Sequence, residues 1–290
     1  MVPQMKEKNY NSDMGIRDIL MTGSRYLANW SSTPHLDAEL LLAHVLSLKR
    51  EQLILYYNEE VTEAQVMDFR RLLELRKSHS VAAIVGEKEF WKYSFAVNKD
   101  VLIPRPDTET ILVALLSRYQ KLNRPLKIVE LGTGSGCVII SILKEFRNAL
   151  GFGFEKSRAA FHLSMRNMLK YGLCARLKLY RLDFNTATRV LSCKVDVIVS
   201  NPPYIRRSEI PYLQPEVQNE PRIALDGGFN GILPYFSILR LASKILCPGG
   251  EIFLEIGSSW RDSIVSADCP FKIVERYRDL SGAERVLVLR

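Results

Sequence analysis

Two hydrophobic rhythms divide the chain. Up to residue 80 the apolar positions recur at helical spacing. "TPHLDAELLLAHVLSL" (33–48) lines leucines along one face, with Thr33 in the N-cap position and Pro34 at the first helical position, where the missing proline N–H leaves no bond unmade. "TEAQVMDFRRLLELRK" opens with Thr62 and Gln65, the spacing of a capping box. The pattern predicts an all-helical domain over 1–80. Over 81–105 the rhythm changes: "EFWKYSFAVNKDVLIPRP" alternates aromatic and polar residues, which predicts a short β-hairpin or an extended linker. "DTETILVALLSRYQ" returns to helical spacing, and 106–290 reads as one further domain.

From residue 126 apolar runs of strand length alternate with helical stretches. Strands are expected at 126–131, 150–154, 176–181, 195–200, 250–256, 271–277 and 284–290. Helices near 136–146, 157–171, 232–246 and 259–266 separate most of them. Strands alternating with helices predict an α/β fold: a Rossmann-like, seven-stranded, mostly parallel sheet, with the all-helical domain in front of it. The last two strands are joined only by "RDLSGAER", a turn signal, and should form an antiparallel edge hairpin.

Composition narrows the chemistry. The 290 residues are 47% hydrophobic and 25% charged, ordinary for a globular protein. The opening "MVPQMKEKNYNSDM" has no apolar signal-like core, and no apolar run approaches the roughly 20 residues of a membrane helix. A cytoplasmic protein with no membrane partner is the expectation. The cysteines at 137, 174, 193, 247 and 269 are odd in number and never form C-x-x-C, which argues for reduced thiols and against a zinc site. The histidines at 35, 44, 79 and 162 lie away from both motifs described next. Triad hydrolysis and metal catalysis are therefore disfavoured, and no metal is expected. The net charge is +8; residues 1–80 hold 10 Lys+Arg against 11 Asp+Glu, and the remainder 30 against 21. The basic second part suggests acidic or ribonucleoprotein surroundings, or no more than a solvated surface.

"KIVELGTGSGCVIISIL" (127–143) is a strand, a glycine loop and a helix start. Gly132, Gly134 and Gly136 let the backbone approach a ligand while the helix N-terminus offers free N–H groups. The G-x-G-x-G spacing is neither the dinucleotide fingerprint nor a P-loop. Glu155 ends the second strand, 23 residues after Gly132, where a carboxylate can accept both hydroxyls of a ribose. Asp183 and Phe184 end the third strand; the acid can accept an adenine amino group and the ring can cover the base. "SNPPYI" (200–205) ends the fourth. It reads as a rigid turn or, since open α/β sheets bind ligands at the carboxyl ends of their strands, as part of a site.

The segment resembles the class I S-adenosylmethionine-dependent methyltransferases, and NPPY is similar to their signature for methylating planar nitrogen. Nearly the whole chain resembles the HemK/PrmC-type protein glutamine N5-methyltransferases, through "GEKEFWKYSFAVNKDVLIPRPDTET", "VELGTGSG", "SNPPYI", "NEPRIALDGG" and "LEIG". The resemblance implies methylation of the GGQ glutamine of class 1 peptide chain release factors, a helical domain that docks the substrate, and S-adenosyl-L-methionine as donor, released as S-adenosyl-L-homocysteine. It implies a donor site at Gly132, Thr133, Gly134, Ser135, Gly136, Glu155 and Phe184. Asp183 is added from its strand end, and Asn201 for the methionine end of the donor. It also implies that Asn201, Pro202, Pro203 and Tyr204 hold the substrate glutamine, with Asn201, Pro202 and Tyr204 as the catalytic set. Glu155 stands where Asp is frequent, Phe184 where Trp is frequent and Trp260 where a glutamine is frequent. A monomer with no required nucleic-acid contact is expected.

NPPY suits that chemistry. An amide nitrogen is a weak nucleophile because its lone pair is delocalised into the carbonyl. Its NH2 group has two donors, which the Asn201 side-chain carbonyl and the Pro202 backbone carbonyl can both accept, turning the lone pair toward a methyl donor. Tyr204 can cover the amide plane. The same logic fits an exocyclic amine of DNA or RNA, a glutamine on a ribosomal protein, or a scaffold that keeps the fold without turnover.

Overall fold

The computed structural model describes residues 15–122, 124–257 and 269–290. The helix expected near 259–266, and Trp260 within it, lie outside the described residues. The chain forms two compact units: one takes the chain up to Val85 together with Pro215–Asn219, the other Gly86–Gln214 and Glu220–Arg290.

The first unit contains helices α1 (Ile16–Leu27), α2 (Pro34–Val45), α3 (Glu63–Arg76) and α4 (Val81–Val85), with a 3-10 turn at Arg50–Tyr56. Ile19, Leu20, Leu41, Leu42, Phe69 and Leu73 form its core. The capping box at Thr62 and Gln65 is made in both directions. Thr33 is the N-cap of α2, but its hydroxyl makes no cap bond. It reaches Asp37 Oδ1 instead, at 3.1 Å. Asp37 is buried and is bonded further by Ser31 Oγ (2.6 Å) and Arg76 Nε (2.6 Å). Arg76 Nη2 also reaches Glu216 Oε1 at 3.3 Å, and Asn219 Nδ2 donates to the Ser78 carbonyl. Those bonds hold the short segment 215–219 in this unit.

The second unit opens with an antiparallel hairpin, β1 (Glu87–Phe90) and β2 (Tyr93–Ala96), followed by helix α5 (Thr110–Tyr119). Strands β3 (Lys127–Leu131), β4 (Leu150–Phe154), β5 (Leu177–Tyr180) and β6 (Val195–Ser200) then alternate with α6 (Cys137–Glu145) and α7 (Arg158–Lys170). After β6 the chain gives the first unit its one-turn helix α8 (Pro215–Gln218), and the second unit resumes with α9 (Arg222–Leu225), α10 (Leu233–Ile245), β7 (Leu246–Glu255), β8 (Ile273–Arg278) and β9 (Glu284–Leu289). The sheet order is β5-β4-β3-β6-β7-β9-β8. The first five strands are parallel, and the β8–β9 hairpin closes the edge antiparallel.

The inner strands β3 and β6 and the second half of β7 are buried on both faces, which is why they read as mostly apolar runs. Alternate residues serve opposite layers. Ile128, Val197, Val199 and Phe253 pack with Ile111 and Leu115 of α5, Ile139 and Leu143 of α6 and Met168 of α7. Val129, Ile198, Ile252 and Leu254 pack with Tyr235, Ile238 and Ala242 of α10. β7 begins four residues before the expected 250. Leu246 already pairs Val195, and a bulge lies between that pair and Val197↔Glu251. Pro248 and Gly249 fall inside the bulge, where neither has to serve a regular ladder.

Asp37 supplies the main counter-charge to Arg76, whose side chain is 7% exposed. Asp37→Ala should cost about 3 kcal/mol of stability, the low end for a broken buried pair because Glu216 remains within reach. Denaturant unfolding of the variant checks this, and a loss below about 1 kcal/mol would show the pair to be expendable.

Candidate active site

Parallel register sets the site. Leu131 pairs Phe154, and Glu130 pairs Val199, so β3, β4 and β6 end at one level. The edge is cross-tied. Gly132 N and Thr133 N donate to the Phe154 carbonyl (2.9 and 3.1 Å), Glu155 N donates to the Tyr180 carbonyl (3.0 Å), and Ser200 Oγ donates to the Leu131 carbonyl (2.7 Å).

Beyond this edge lies a cavity of about 460 Å³, within the range of small-ligand sites. Gly132, Thr133, Gly134, Ser135, Glu155, Asp183, Phe184, Asn201 and Pro203 all line it. Gly136, Pro202 and Tyr204 are not among its lining residues. Gly136 is the N-cap of α6, where a Cβ would meet Ile140 and Ser164. Tyr204 packs into the core layer of α10, and its ring leaves no room for a side chain on Gly257, whose Cβ would fall 2.8 Å from Tyr204 Cδ2.

The glycine loop is shaped for a ligand. Gly132 and Gly134 have φ of 78° and 56°, and a Cβ at either would meet nothing within 4 Å. The space beside the loop is therefore cavity and not packing. The buried Thr133 hydroxyl has no protein partner. Glu155 accepts from Gly134 N (2.9 Å, Oε2) and Ser157 N (2.7 Å, Oε1). Each oxygen keeps a lone pair for a ligand hydroxyl. Asp183 Oδ1 accepts from Asn185 N at 2.9 Å and so holds the turn that carries Phe184. An adenosine-bearing donor fits this set: an acid for the ribose, an aromatic ring for the base and, on the loop, a buried Thr133 hydroxyl without a protein partner.

The NPPY segment is braced from behind. Ile205 N donates to the Leu225 carbonyl (3.1 Å), and Gly227 N donates to the Ile205 carbonyl (2.8 Å). A Cβ on Gly227 would lie 2.9 Å from the Pro203 carbonyl oxygen. Glycine is thus required at that approach, which accounts for "ALDGG" following NPPY. Asp226 is bonded by Arg207 (3.0 Å), Arg222 (3.4 Å) and Gly228 N (2.9 Å), and these together hold its carboxyl below the usual range against the opposing effect of burial.

Several groups at the site were not singled out by sequence reasoning. Thr108 is 3% exposed and accepts from Asn201 Nδ2 at 3.0 Å. Glu255 at the end of β7 is 1% exposed and accepts from the Tyr204 hydroxyl at 3.3 Å. Both lie in quoted stretches, "PDTET" and "LEIG", but no spacing rule links them to NPPY. Asn167 on α7 is fully buried. It exchanges bonds with both backbone groups of Ala96 (2.9 Å each) and donates to the Ser135 carbonyl (2.8 Å). It thus ties the glycine loop to the hairpin. Burial pushes the Glu130 carboxyl well above its ordinary value, and one oxygen accepts from Ile139 N.

The comparisons follow the same division of the chain. Residues 18–86 match the PrmC N-terminal domain, and residues 107–214 match the methyltransferase small domain. The chain is 35% identical over 263 residues to a release factor glutamine methyltransferase of Nitratidesulfovibrio vulgaris, covering 89% of this chain and 88% of that protein. This chain belongs to the release factor glutamine methyltransferase family. A bifunctional methyltransferase of Rickettsia conorii is 35% identical over 284 residues; 89% of this chain aligns, spanning 54% of that protein. A methyltransferase structure from Pyrococcus furiosus shares the fold at a TM-score of 0.50 and 18% identity, covering 76% of this chain and 96% of that one. The seven-stranded, mostly parallel sheet is the one that the alternating strands and helices predict. No helix among the described residues is long and apolar enough to cross a membrane. No cluster of metal-ligating side chains occurs among them.

The Glu255 carboxyl has the site's most informative protonation. Burial raises it to about 7, while Thr108, Arg285 and Tyr204 pull it down and Asp107 pushes it further up. A carboxyl raised on folding stabilises the fold when protonated, and that contribution is lost as pH rises from 4.5 through about 7. Glu255→Gln removes the titration. It should therefore stabilise the protein by about 3 kcal/mol at pH 8 and by only about 1 kcal/mol at pH 5. Denaturant midpoints of both proteins across that range check the sign, and a pH-independent difference would refute the assignment.

Proposed function

We propose that this protein transfers a methyl group from S-adenosyl-L-methionine to the side-chain amide nitrogen of the glutamine in the GGQ motif of class 1 peptide chain release factors, in the cytoplasm and as a monomer. The observation that carries this reading is a shared cavity. Gly132, Thr133, Gly134 and Ser135 of the loop, Glu155, Phe184, and Asn201 and Pro203 after β6 all line it, so a donor on the loop and an amide on NPPY would face each other.

When bound, the donor supplies an electrophilic methyl on a sulfonium and leaves as the neutral thioether. Glu155 would hold its ribose, Asp183 and Phe184 its adenine, and the loop Gly132–Gly136 its backbone-facing side. Asn201 and the Pro202 carbonyl would accept the two hydrogens of the glutamine NH2. The amide nitrogen would take the methyl, its new bond replacing the one to sulfur, and would then lose a proton to solvent. Catalysis by alignment, with hydrogen bonds that strengthen as positive charge reaches the nitrogen, needs no strong base beforehand. The helical unit, near neutral in charge, is assigned the docking of the protein substrate. The runner-up is an exocyclic amine of a nucleic acid, which the basic second part of the chain favours.

Two substitutions separate donor from substrate. Glu155→Ala should weaken donor binding by roughly 1–3 kcal/mol; calorimetry showing unchanged affinity would remove Glu155 from the site. Asn201→Ala should lower kcat roughly a hundredfold to a thousandfold with a smaller effect on donor affinity. The assay is methyl transfer to a release-factor domain carrying GGQ, with GGE and GGA versions as controls. Substantial transfer to the controls, or full activity of the variant, would defeat the mechanism. Faster transfer to adenine-containing nucleic acid would select the runner-up.

A further inference from the structure

The glycine loop is held from behind by α7. Ser164 and Asn167 lie three residues apart on that helix and so share a face. Both are fully buried. Ser164 meets the loop by contact: a Cβ on Gly136 would lie 3.3 Å from the Ser164 Cβ. Asn167 meets it by hydrogen bonds. Its Nδ2 donates to the Ser135 carbonyl (2.8 Å) and to the Ala96 carbonyl (2.9 Å), and its Oδ1 accepts from Ala96 N (2.9 Å). Both amide hydrogens and the carbonyl are thereby engaged. The paired bonds to Ala96 fix which end of the amide is which, so the second hydrogen is committed to Ser135.

We propose that Asn167 is a positioning residue for the methyl donor: it holds the Ser135–Gly136 peptide in one orientation and joins the glycine loop to the segment that follows the β1–β2 hairpin. The proposal rests on the donor reading given above. Ser135 lines the cavity, whereas Asn167 is not among the lining residues. The Ser135 carbonyl, aimed at Asn167, therefore points away from the cavity. The N–H of the same peptide, on Gly136, donates to the Thr133 carbonyl at 2.8 Å. Both ends of the peptide are pinned. That matters because Gly136 sits at φ 82°, and a peptide next to glycine turns over at little steric cost when its ends are free. Without Asn167 the buried carbonyl loses its partner. Rotation toward the cavity, where water can reach it, is then the way to regain one, and it would place an oxygen on the donor's side of the loop.

The hairpin end of the link serves the same cavity. Ala96 closes β2, and Asp100, Val101, Leu102, Pro104 and Arg105 shortly after it form part of the cavity wall. One buried side chain thus sets the spacing between two walls, the glycine loop and the segment 100–105.

The test uses the full chain, S-adenosyl-L-homocysteine as the probe and three variants. Asn167→Leu keeps the approximate volume and loses all three bonds. Asn167→Ala leaves room for a water that can bond Ser135 without holding its peptide. Tyr119→Phe is the control: it removes a hydrogen bond to buried Glu251 (3.0 Å), and neither residue is among those lining the cavity. Calorimetry should show probe affinity lowered about 10- to 100-fold in Asn167→Leu, less in Asn167→Ala, and unchanged within about twofold in Tyr119→Phe. Wild-type affinity in Asn167→Leu, or in Asn167→Ala should the leucine variant not fold, overturns the proposal, as does an equal loss in the control. Amide exchange followed by NMR reads the link in the wild-type protein itself. Saturation with the probe should slow exchange at Ala96 N–H more than at Leu287 N–H on β9, although Ala96 is not among the lining residues; equal slowing at both overturns the link. If the wild-type protein binds no S-adenosyl-L-homocysteine, the donor reading falls. The exchange rates of the folded variant still decide the clamp: Ala96 and Gly136 N–H should both lose protection, and unchanged protection at Gly136 refutes it.

Discussion

The site depends on the pairing of β3 with β4 and β6. Side chains on a strand alternate faces, so a slip of one residue in any of these pairings would expose one apolar layer and bury polar groups in its place. Val129 and Ile128, or Ile198 and Val199, cannot exchange layers without dismantling a core. The register is therefore locked by packing across the whole sheet. Gly132, Glu155 and Asn201 each follow directly on a locked strand end, and they inherit their mutual positions from it. The side-chain tie from Ser200 to the Leu131 carbonyl carries this order one residue past the ladder. The chemistry thus takes its precision from hydrophobic burial some distance beneath it.

What could be read in the sequence follows from the same fact. Strands buried on both faces are mostly apolar, so "KIVEL" and "VDVIVS" announce themselves, and the residues that follow each run mark the ligand edge. Glu155, Asp183 and Asn201 were visible for that reason. β7 was seen late because Pro248 and Gly249 imitate a turn, whereas they occupy a bulge. Thr108, Asn167 and Glu255 had no such signal. Each matters through a partner 32 to 93 positions away, joined only when the sheet closes: Asn201 for Thr108, Tyr204 for Glu255, Ala96 and Ser135 for Asn167. Local periodicity carries no trace of a tertiary hydrogen bond.

Glu130 and Glu255 show two uses of a buried acid at strand ends. Glu130 gives an oxygen to the backbone of α6, and burial pushes its carboxyl well above its ordinary value. It connects strand and helix by a hydrogen bond. Glu255 accepts from Tyr204 of NPPY, and burial raises its carboxyl to about 7. The same residue type thus contributes a fixed hydrogen bond at one strand end and an adjustable one at another. The number and kind of neighbouring donors decides which.

The helical unit counts Pro215–Asn219 among its own residues, held by Arg76 and by the Ser78 carbonyl. It is therefore not a contiguous stretch of the gene. A recombination crossover at residue 85 would hand a new host the long helices without the short turn that completes them, and would leave that turn orphaned in the donor chain. The two units can be exchanged among relatives only together, or with matched changes on both sides of the break. The segment between NPPY and "NEPRIALDGG" is thus inherited under two sets of constraints, one from each unit that the chain threads there.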